Sequence, residues 1–522
     1  MKLSFLLVVF CVFLSIPQSF AYNVEFGEAE RSDKRHKITM LGNVDGKLYI
    51  YKFKAMPLGV EKHTIFQFDP NSLSSTNEFE LDLKSKNLET ISIFNGKILI
   101  FQKERISQDN QARLYYDVYE ANTMKKVKEN VELASYEYKR VFFGNYESFK
   151  VLFSEDESKL AIYYDLPYEK GDAEKFGFKV FDQELNELYG NKETKLPMLD
   201  DLMHLGSPYI ANDGRFYISA LETLEKGFFG QPKSVSHIIF GVDDQGELVE
   251  HKLDLPNRYI YDYTFSQNSK GELVCTGLYG DKGKSGVSGG FYLRLNSETR
   301  ELEQDNYREF PDEFITSGWS DRAKKKAKKK KDKGKGSPKL YNYDIRAIVT
   351  LEDGGAVFVA EQFYIVITTY RDANGNTRTT YHYYYNDIIV MRLDGKGEFK
   401  WHTKIPKYQH STNDNGYYSS FAFHVGQEKL YFMFNDNIKN FEDGNATGGR
   451  TYPTSFTSNK KNITSLAEIN LSDGKFSKNK LFGKADLGTI AVPKIHFSDY
   501  NANVLYIYSK KKRMERLGKI TF

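Results

Sequence analysis

The chain has 522 residues, a formal net charge of +3 and 27% charged side chains, an ordinary balance for a folded protein. Its two cysteines are Cys11 and Cys275, and the first lies in an N-terminal leader, so a structural disulfide is excluded and stability must come from a buried core. No apolar run approaches the roughly 20 residues a spanning helix needs, which excludes a multispanning membrane protein, while 37 Tyr and 39 Phe mark a chain rich in strand formers.

The leader reads Lys2, an apolar run from Leu3 to Ile16, then Ser19-Phe20-Ala21. That order of charged, apolar and small residues predicts a signal peptide over 1–21 with cleavage after Ala21. Phe10 before Cys11 is too bulky for a lipoprotein processing site, so Cys11 is filler. The mature chain, 22–522, is expected to be exported to the periplasm, the cell surface or the medium.

After the leader, one pattern recurs eight times: a Gly, Asp or Asn turn followed by a strongly apolar, aromatic run. In chain order the copies start at Asp45, Asn95, Glu157, Asp213, Lys270, Asp353, Gly426 and Asn501, as in DGKLYIYKF, NGKILIF and DGGAVFVAEQF. A strand-like run precedes each copy, making a hairpin, and a third run ending in a turn follows, for example IFQFDPNS, IIFGVDDQG and LAEINLSDG. Seven units add a more polar fourth strand; the eighth has three, ending in Gly518–Phe522, while Tyr22–Phe26 at the mature N-terminus is left over.

These counts predict an all-β fold, a single β-propeller of about eight four-stranded blades, closed by the N-terminal strand joining the last blade. Seven blades is the alternative, reached if the weak unit around Ala211–Leu221 is absorbed elsewhere. Inner strands should read as unbroken apolar runs and outer strands as polar, since stacked blades cover the inner strands on both faces.

Motifs that could carry chemistry fail in context. Gly286-Val287-Ser288-Gly289-Gly290 matches a nucleophile elbow but lies between two strand runs, with no helix to follow. Gly283-Lys284-Ser285 lacks the first glycine and the helix of a phosphate loop. His382, His402, His410 and His424 lack the short spacing of paired metal ligands, and Asp372–Asn376 begins like a calcium loop without its distant Glu, so no metal and no cofactor is expected.

Two insertions are candidate partner surfaces. The first, at about 311–339, holds Lys324, Lys325, Lys326, Lys328, Lys329, Lys330 and Lys331; from 321 to 339 ten lysines and one arginine face two aspartates, on an otherwise acidic body. It is expected to be a flexible arm, either a solvated loop or an electrostatic tether to an envelope polyanion. The second, at about 363–385 with the loop after it, exposes many tyrosines, of which Tyr370, Tyr381, Tyr383, Tyr385 and Tyr417 are the candidate ligand contacts. Such rings suit a glycan or a protein surface, or else pair across the hairpin and brace it.

The stretch RLDGKGEFKWHTKIP from Arg392 resembles quinoprotein-type propeller repeats, in which an Asp and Gly turn leads to a docking Trp on the outer strand, here Trp401. The resemblance stops short of the quinone cofactor, because the other units lack that Trp and vicinal cysteines are absent. Leader, strands and unit lengths together resemble the uncharacterised exported propeller proteins of Bacteroidota-type bacteria, which implies a fold and no activity. The sequence therefore favours a binding or scaffold protein of the cell envelope, with no specific nucleic acid as partner. The alternative is a propeller-based lyase or hydrolase acting on glycans at the central channel.

Overall fold

The computed structural model describes residues 22–522 apart from 33–35, 57–59, 84–85, 139–148, 168–170, 227–231, 297–298, 300, 372–375, 442–450, 455 and 458–459. The leader and residues 372–375 of the stretch that begins like a calcium loop thus lie outside the described residues. The rest is all-β and forms eight antiparallel four-stranded sheets that follow one another along the chain. Sheet 1 spans 36–80, sheet 2 87–137, sheet 3 149–199, sheet 4 203–253, sheet 5 258–309, sheet 6 343–412 and sheet 7 422–483. Sheet 8 takes three strands from 490–521 and a fourth from Asn23–Phe26, which pairs antiparallel with Met514–Thr521 in the register Asn23↔Thr521 to Phe26↔Gly518. The unit around Ala211–Leu221 is a full sheet, so the count is eight and not seven.

The turns explain why each repeat folds back on itself. Asp45-Gly46 and Asn95-Gly96 both take left-handed φ at both positions, 48° and 72°, 47° and 69°. That is the backbone of the two-residue hairpin turn whose twist matches its strands. Second strands such as Leu273–Asp281 and Val504–Lys511 are almost wholly buried, while fourth strands such as Ser74–Glu80 are largely exposed. Cys275, fully buried there, has its thiol pushed well up by desolvation and is inert.

Each sheet buries both faces. Phe101 and Leu114 of sheet 2 meet Leu160 and Ile162 of sheet 3; Tyr163 and Phe178 of sheet 3 meet Phe216 of sheet 4. The pattern continues to sheets 7 and 8, and then Val492 and Tyr506 of sheet 8 meet Ile38 and Leu48 of sheet 1. At one end of the molecule Glu155 of sheet 3 accepts hydrogen bonds from Ser266 of sheet 5 and, at 3.2 Å, from Thr350 of sheet 6, so inner edges of non-adjacent sheets converge. The packing order and strand count are consistent with an eight-bladed propeller.

Aromatics on outer strands dock onto the next sheet. Trp401 Nε1 donates to the carbonyl of Leu471 at 2.9 Å, and the ring lies so close to Gly474 that a Cβ there would come within 2.6 Å of it. Tyr189 does the same work for sheet 3, its hydroxyl donating to Gly214 O at 2.7 Å and accepting from Phe216 N at 3.2 Å.

The lysine-rich insertion differs from the expected flexible arm. It holds α1 (Asp312–Thr316) and α2 (Asp321–Asp332), the second starting at Ser320, whose hydroxyl accepts from Ala323 N. Asp321 in the first turn and Lys329 to Lys331 in the last complement the helix dipole, and lysine is itself a good helix former. Charge patterning alone reads as a loop; the cap makes it a helix. Lys404 of sheet 6 binds the last carbonyls of α1, including Ile315 O at 3.0 Å, and Lys331 pairs with Asp312.

The junction of sheets 8 and 1 also holds a buried carboxylate. Glu515 accepts from Lys52 at 2.9 Å and from Tyr508 at 2.7 Å and lies 2.9 Å from His36 Nε2. Despite burial, these partners hold its carboxyl well below the usual range. The sign follows: stability from Glu515 is complete above the unfolded carboxylate pKa of about 4.3 and is lost as the pH falls below it. Glu515→Ala should lower the unfolding free energy by about 3 kcal/mol, since it leaves buried partners uncompensated. Urea titrations at neutral pH check the size, and the difference between wild type and variant should shrink on acidification.

Candidate functional site

The hairpin of sheet 6 is built from Ala356–Arg371 and Thr377–Leu393, paired from Ala356↔Leu393 out to Arg371↔Thr377. Strand alternation divides its side chains between two faces. One carries, from base to tip, Phe363 opposite Tyr385, Ile365 opposite Tyr383 and Ile367 opposite Tyr381. Ile367 is 59% exposed and Tyr381 43%. The opposite face is closed on itself, because Tyr364 stacks on Tyr384 and Tyr384 on His410, each with ring centroids 4.6 Å apart. Tyr370 is on that second face, near the tip and 56% exposed.

A charged network fixes the base of the hairpin. Glu361, fully buried, accepts from Lys407 at 2.6 Å, Arg346 Nε at 3.1 Å and Ser420 Oγ at 2.8 Å. Lys407 also donates to Tyr385 O and Gln409 Oε1, each at 3.2 Å. Burial lowers the pKa of Lys407, with Glu361 acting against that. Glu361 interrupts an apolar strand, and only this set of donors makes its burial tolerable.

The loop after the hairpin's partner strand is tied back to it. Asn413 and Asn415 have left-handed φ of 54° and 53°, and Asp414 accepts from Ser411 Oγ at 2.6 Å and Gly416 N at 2.9 Å. Tyr383 donates to Asn415 Oδ1 at 2.7 Å. Gly416 also has positive φ, 62°, and a Cβ on it would meet the Tyr385 ring at 2.3 Å, so the ring lies flat against bare backbone.

Lys494 enters from sheet 8. Its strand, Ile490–Asp499, pairs regularly at Ala491↔Ser509 and again at His496↔Ile507, so four residues, 492–495, oppose Tyr508 alone. Pro493 has no N–H for the ladder, and His496 Nδ1 donates to its carbonyl at 2.7 Å, which stabilises the bulge. The bulge turns Lys494 toward sheet 6, where its amine donates to Tyr385 OH at 2.8 Å and Asn415 O at 3.1 Å and lies 4.4 Å from the centre of the Tyr385 ring. Among the described residues it forms no ion pair. Solvent reaches Lys494, yet protein crowds its amine, and burial brings its pKa down to about 8, with Arg346 and Lys407 adding to the effect against Glu361 and Asp414. Burial also pushes the phenol of Tyr385 up to about 12, with Glu361 adding to it.

Tyr381, Tyr383 and Tyr385 thus share one face, exposed at Tyr381, half-buried at Tyr383 and buried at Tyr385, where the Lys494 amine meets it. Tyr417 is elsewhere: half-buried, it packs edge-on against Tyr418, 4.9 Å away, and against the core between sheets 8 and 1. On α2, Lys325, Lys326, Lys328, Lys329, Lys330 and Lys331 are exposed, whereas Ala323, Lys324 and Ala327 are half-buried. Glu361, Lys407, Arg346 and Lys494 were missed in the sequence. Their signal is a charge inside an apolar strand run and, for Lys494, the proline before it.

The motifs rejected on sequence have structural places. Ser288 donates to Asp281 Oδ1 at 3.0 Å and accepts from Lys339 at 2.6 Å, a half-buried clamp followed directly by the strand Gly289–Leu295. His382 and His410 are hydrogen-bonded at 3.1 Å, and His424 is buried against Ser498 and Asn503. Among the described residues no three His, Cys, Asp or Glu side chains gather where a metal ion could sit, and no helix is long and apolar enough to cross a membrane.

No sequence family model matches this chain, and no curated protein does. Solved structures similar to it include polysaccharide lyase Uly1, at 10% identity and a TM-score of 0.36, covering 85% of this chain and 91% of that one. The β-propeller domain of the trilobed protease from Pyrococcus furiosus matches at 13% identity and a TM-score of 0.36, covering 84% and 99%. The acylaminoacyl peptidase of Pyrococcus horikoshii matches at 11% and 0.35, covering 91% of this chain and 58% of that one. At these TM-scores the superpositions bear on no residue's role.

Replacing Glu361 by Leu should cost about 3–5 kcal/mol, because the buried ammonium of Lys407 is left unpaired. Adding Lys407→Met should recover more than half of that loss. Chemical denaturation of the two single variants and the double variant checks the coupling.

Proposed function

We propose that this chain is an exported eight-bladed β-propeller, its ring closed by the N-terminal strand, that binds a glycan of the cell envelope along the open face of the long hairpin. The observation that carries this reading is the exposed outer part of that face, Ile367 with Tyr381 and Ile365 with Tyr383, above a base where Tyr385 is buried and the exposed Lys494 amine caps its hydroxyl. Flat apolar rings with polar edges suit the faces of sugar rings, and a cation at one end suits an acidic substituent. The network under Glu361 and the tie from Tyr383 to Asn415 hold the face in place before any ligand arrives, which limits the entropy lost on binding.

The exposed lysines of α2 give a second contact, for an envelope polyanion, in a helix that holds their spacing fixed. The second reading is an enzyme acting on glycans as a lyase or hydrolase at the same end. The hydrogen bond between Lys494 and Tyr385 favours it, since an amine with a pKa of about 8 can exchange protons near neutral pH.

Tyr381→Ala should weaken binding to an acidic envelope glycan about tenfold, the loss of one aromatic contact of roughly 1.4 kcal/mol. Lys325→Glu with Lys329→Glu should leave that affinity at high salt unchanged and flatten its salt dependence. Isothermal titration against fractionated envelope glycans measures both, and release of unsaturated or newly reducing ends in the same mixtures would turn the assignment to the enzyme. Amino-terminal sequencing of the exported protein should begin at Tyr22.

A further inference from the structure

We propose that Lys494 is a reactive amine that condenses reversibly with aldehydes, with the Tyr385 hydroxyl as its proton donor and acceptor. The proposal rests on the side-chain geometry and is independent of which glycan the hairpin binds.

Most lysines are poor nucleophiles because they are protonated and solvated; one becomes reactive when it is crowded, lacks a carboxylate and stays accessible. Lys494 meets these conditions together. The bulge at Pro493 turns it out of its strand, and its only hydrogen-bond partners among the described residues are a phenol oxygen and a peptide carbonyl, both neutral. The cations of Arg346 and Lys407 oppose its protonation; of the two carboxylates that favour it, Glu361 is already shared between those cations and Asp414 accepts from Ser411 and Gly416 N. The lowered amine pKa agrees with that placement.

The step balances without a further reagent. The Nζ lone pair attacks the carbonyl carbon; a C–N bond forms, and the carbonyl π electrons move to oxygen. That oxygen takes a proton from Tyr385 OH, 2.8 Å from the amine, giving a carbinolamine. The nitrogen of that adduct returns a proton to the phenolate; the restored Tyr385 OH then protonates the hydroxyl as the C–O bond breaks and water leaves, and the iminium gives its remaining N–H proton to the phenolate, so that a neutral imine and the phenol remain; hydrolysis runs the same steps backward. A phenol whose pKa is raised to about 12 is still protonated at neutral pH, as its donor role requires.

The test uses glycolaldehyde with cyanoborohydride on the full mature protein, each lysine being followed by peptide mass spectrometry. The exposed lysines of α2 serve as internal references. At about pH 7.5 an amine with a pKa near 8 is roughly a quarter neutral, against about a thousandth for an ordinary lysine, and lower basicity takes back part of that gain. Lys494 should therefore be modified about tenfold faster than the α2 lysines, with a rate that rises through pH 8 and then levels. In Lys494→Arg the rapid modification should vanish. In Tyr385→Phe, which keeps the ring, it should slow several-fold while circular dichroism and Tm stay close to wild type. Modification of Lys494 no faster than of α2, or a rate still climbing above pH 9.5, overturns the reactive amine; unchanged kinetics in Tyr385→Phe overturns the role of the phenol. Tyr381→Ala, which weakens the glycan contact, should leave the modification rate of Lys494 unchanged, and this separates the reactive amine from the binding assignment.

Discussion

The structure depends on burying both faces of every sheet against its neighbours in sequence. A four-stranded sheet with two apolar faces is unstable alone, and a linear stack of eight would leave two faces wet. Here the last sheet packs on the first through Val492, Tyr506, Ile38 and Leu48, which covers apolar surface on both. At roughly 25 cal/mol per Å² of apolar surface, covering that pair of faces contributes more than any single polar contact at the junction. The strand Asn23–Phe26 and Glu515 add direction to it: one supplies the missing fourth strand, the other a carboxylate that only Lys52, His36 and Tyr508 together can satisfy.

Such packing decides where variation is tolerated. In a meander the turns between strands one and two and between three and four emerge at one end; the connections between two and three, and from four to the next sheet, emerge at the other. The first set stays tight, with left-handed turn residues such as Asp45-Gly46, and inner residues such as Glu155 bridge across between sheets there. Every long segment belongs to the second set: the hairpin of sheet 6, the α1–α2 insertion and the loop around Asn415. The residues proposed to face a ligand gather at that end, which can lengthen without disturbing the stacked faces.

The repeat units were legible because a buried second strand must be apolar and the turn before it must accept left-handed φ, two demands that leave local marks. All eight turn-and-run copies are the first hairpins of the eight sheets. Three of the tyrosines singled out, Tyr381, Tyr383 and Tyr385, share a face because they are two residues apart on one strand, also a local property. Tyr417 was not separable from them by sequence: its burial comes from sheet 8, further along the chain, and from sheet 1 at its start. The Glu361 network was illegible for the same reason, since its partners come from three strands and a loop. The helix α2 was misread because a run of lysines says solvent-exposed but not whether the backbone is ordered, and Ser320 as a cap decides that.

Lys494 and α2 show how position sets what the same side chain can do. On α2 the exposed lysines stand in water on a helix, where ionic strength screens each contact. Lys494 stands on a bulge, among cations and neutral acceptors, where holding a proton costs desolvation that nothing nearby fully offsets. The first arrangement suits recognition of an extended anion and needs no fixed geometry beyond spacing. The second requires the proline, the His496 bond to its carbonyl and the phenol of Tyr385 to be in place at once, a convergence of sheets 8 and 6 that the stacking order makes permanent.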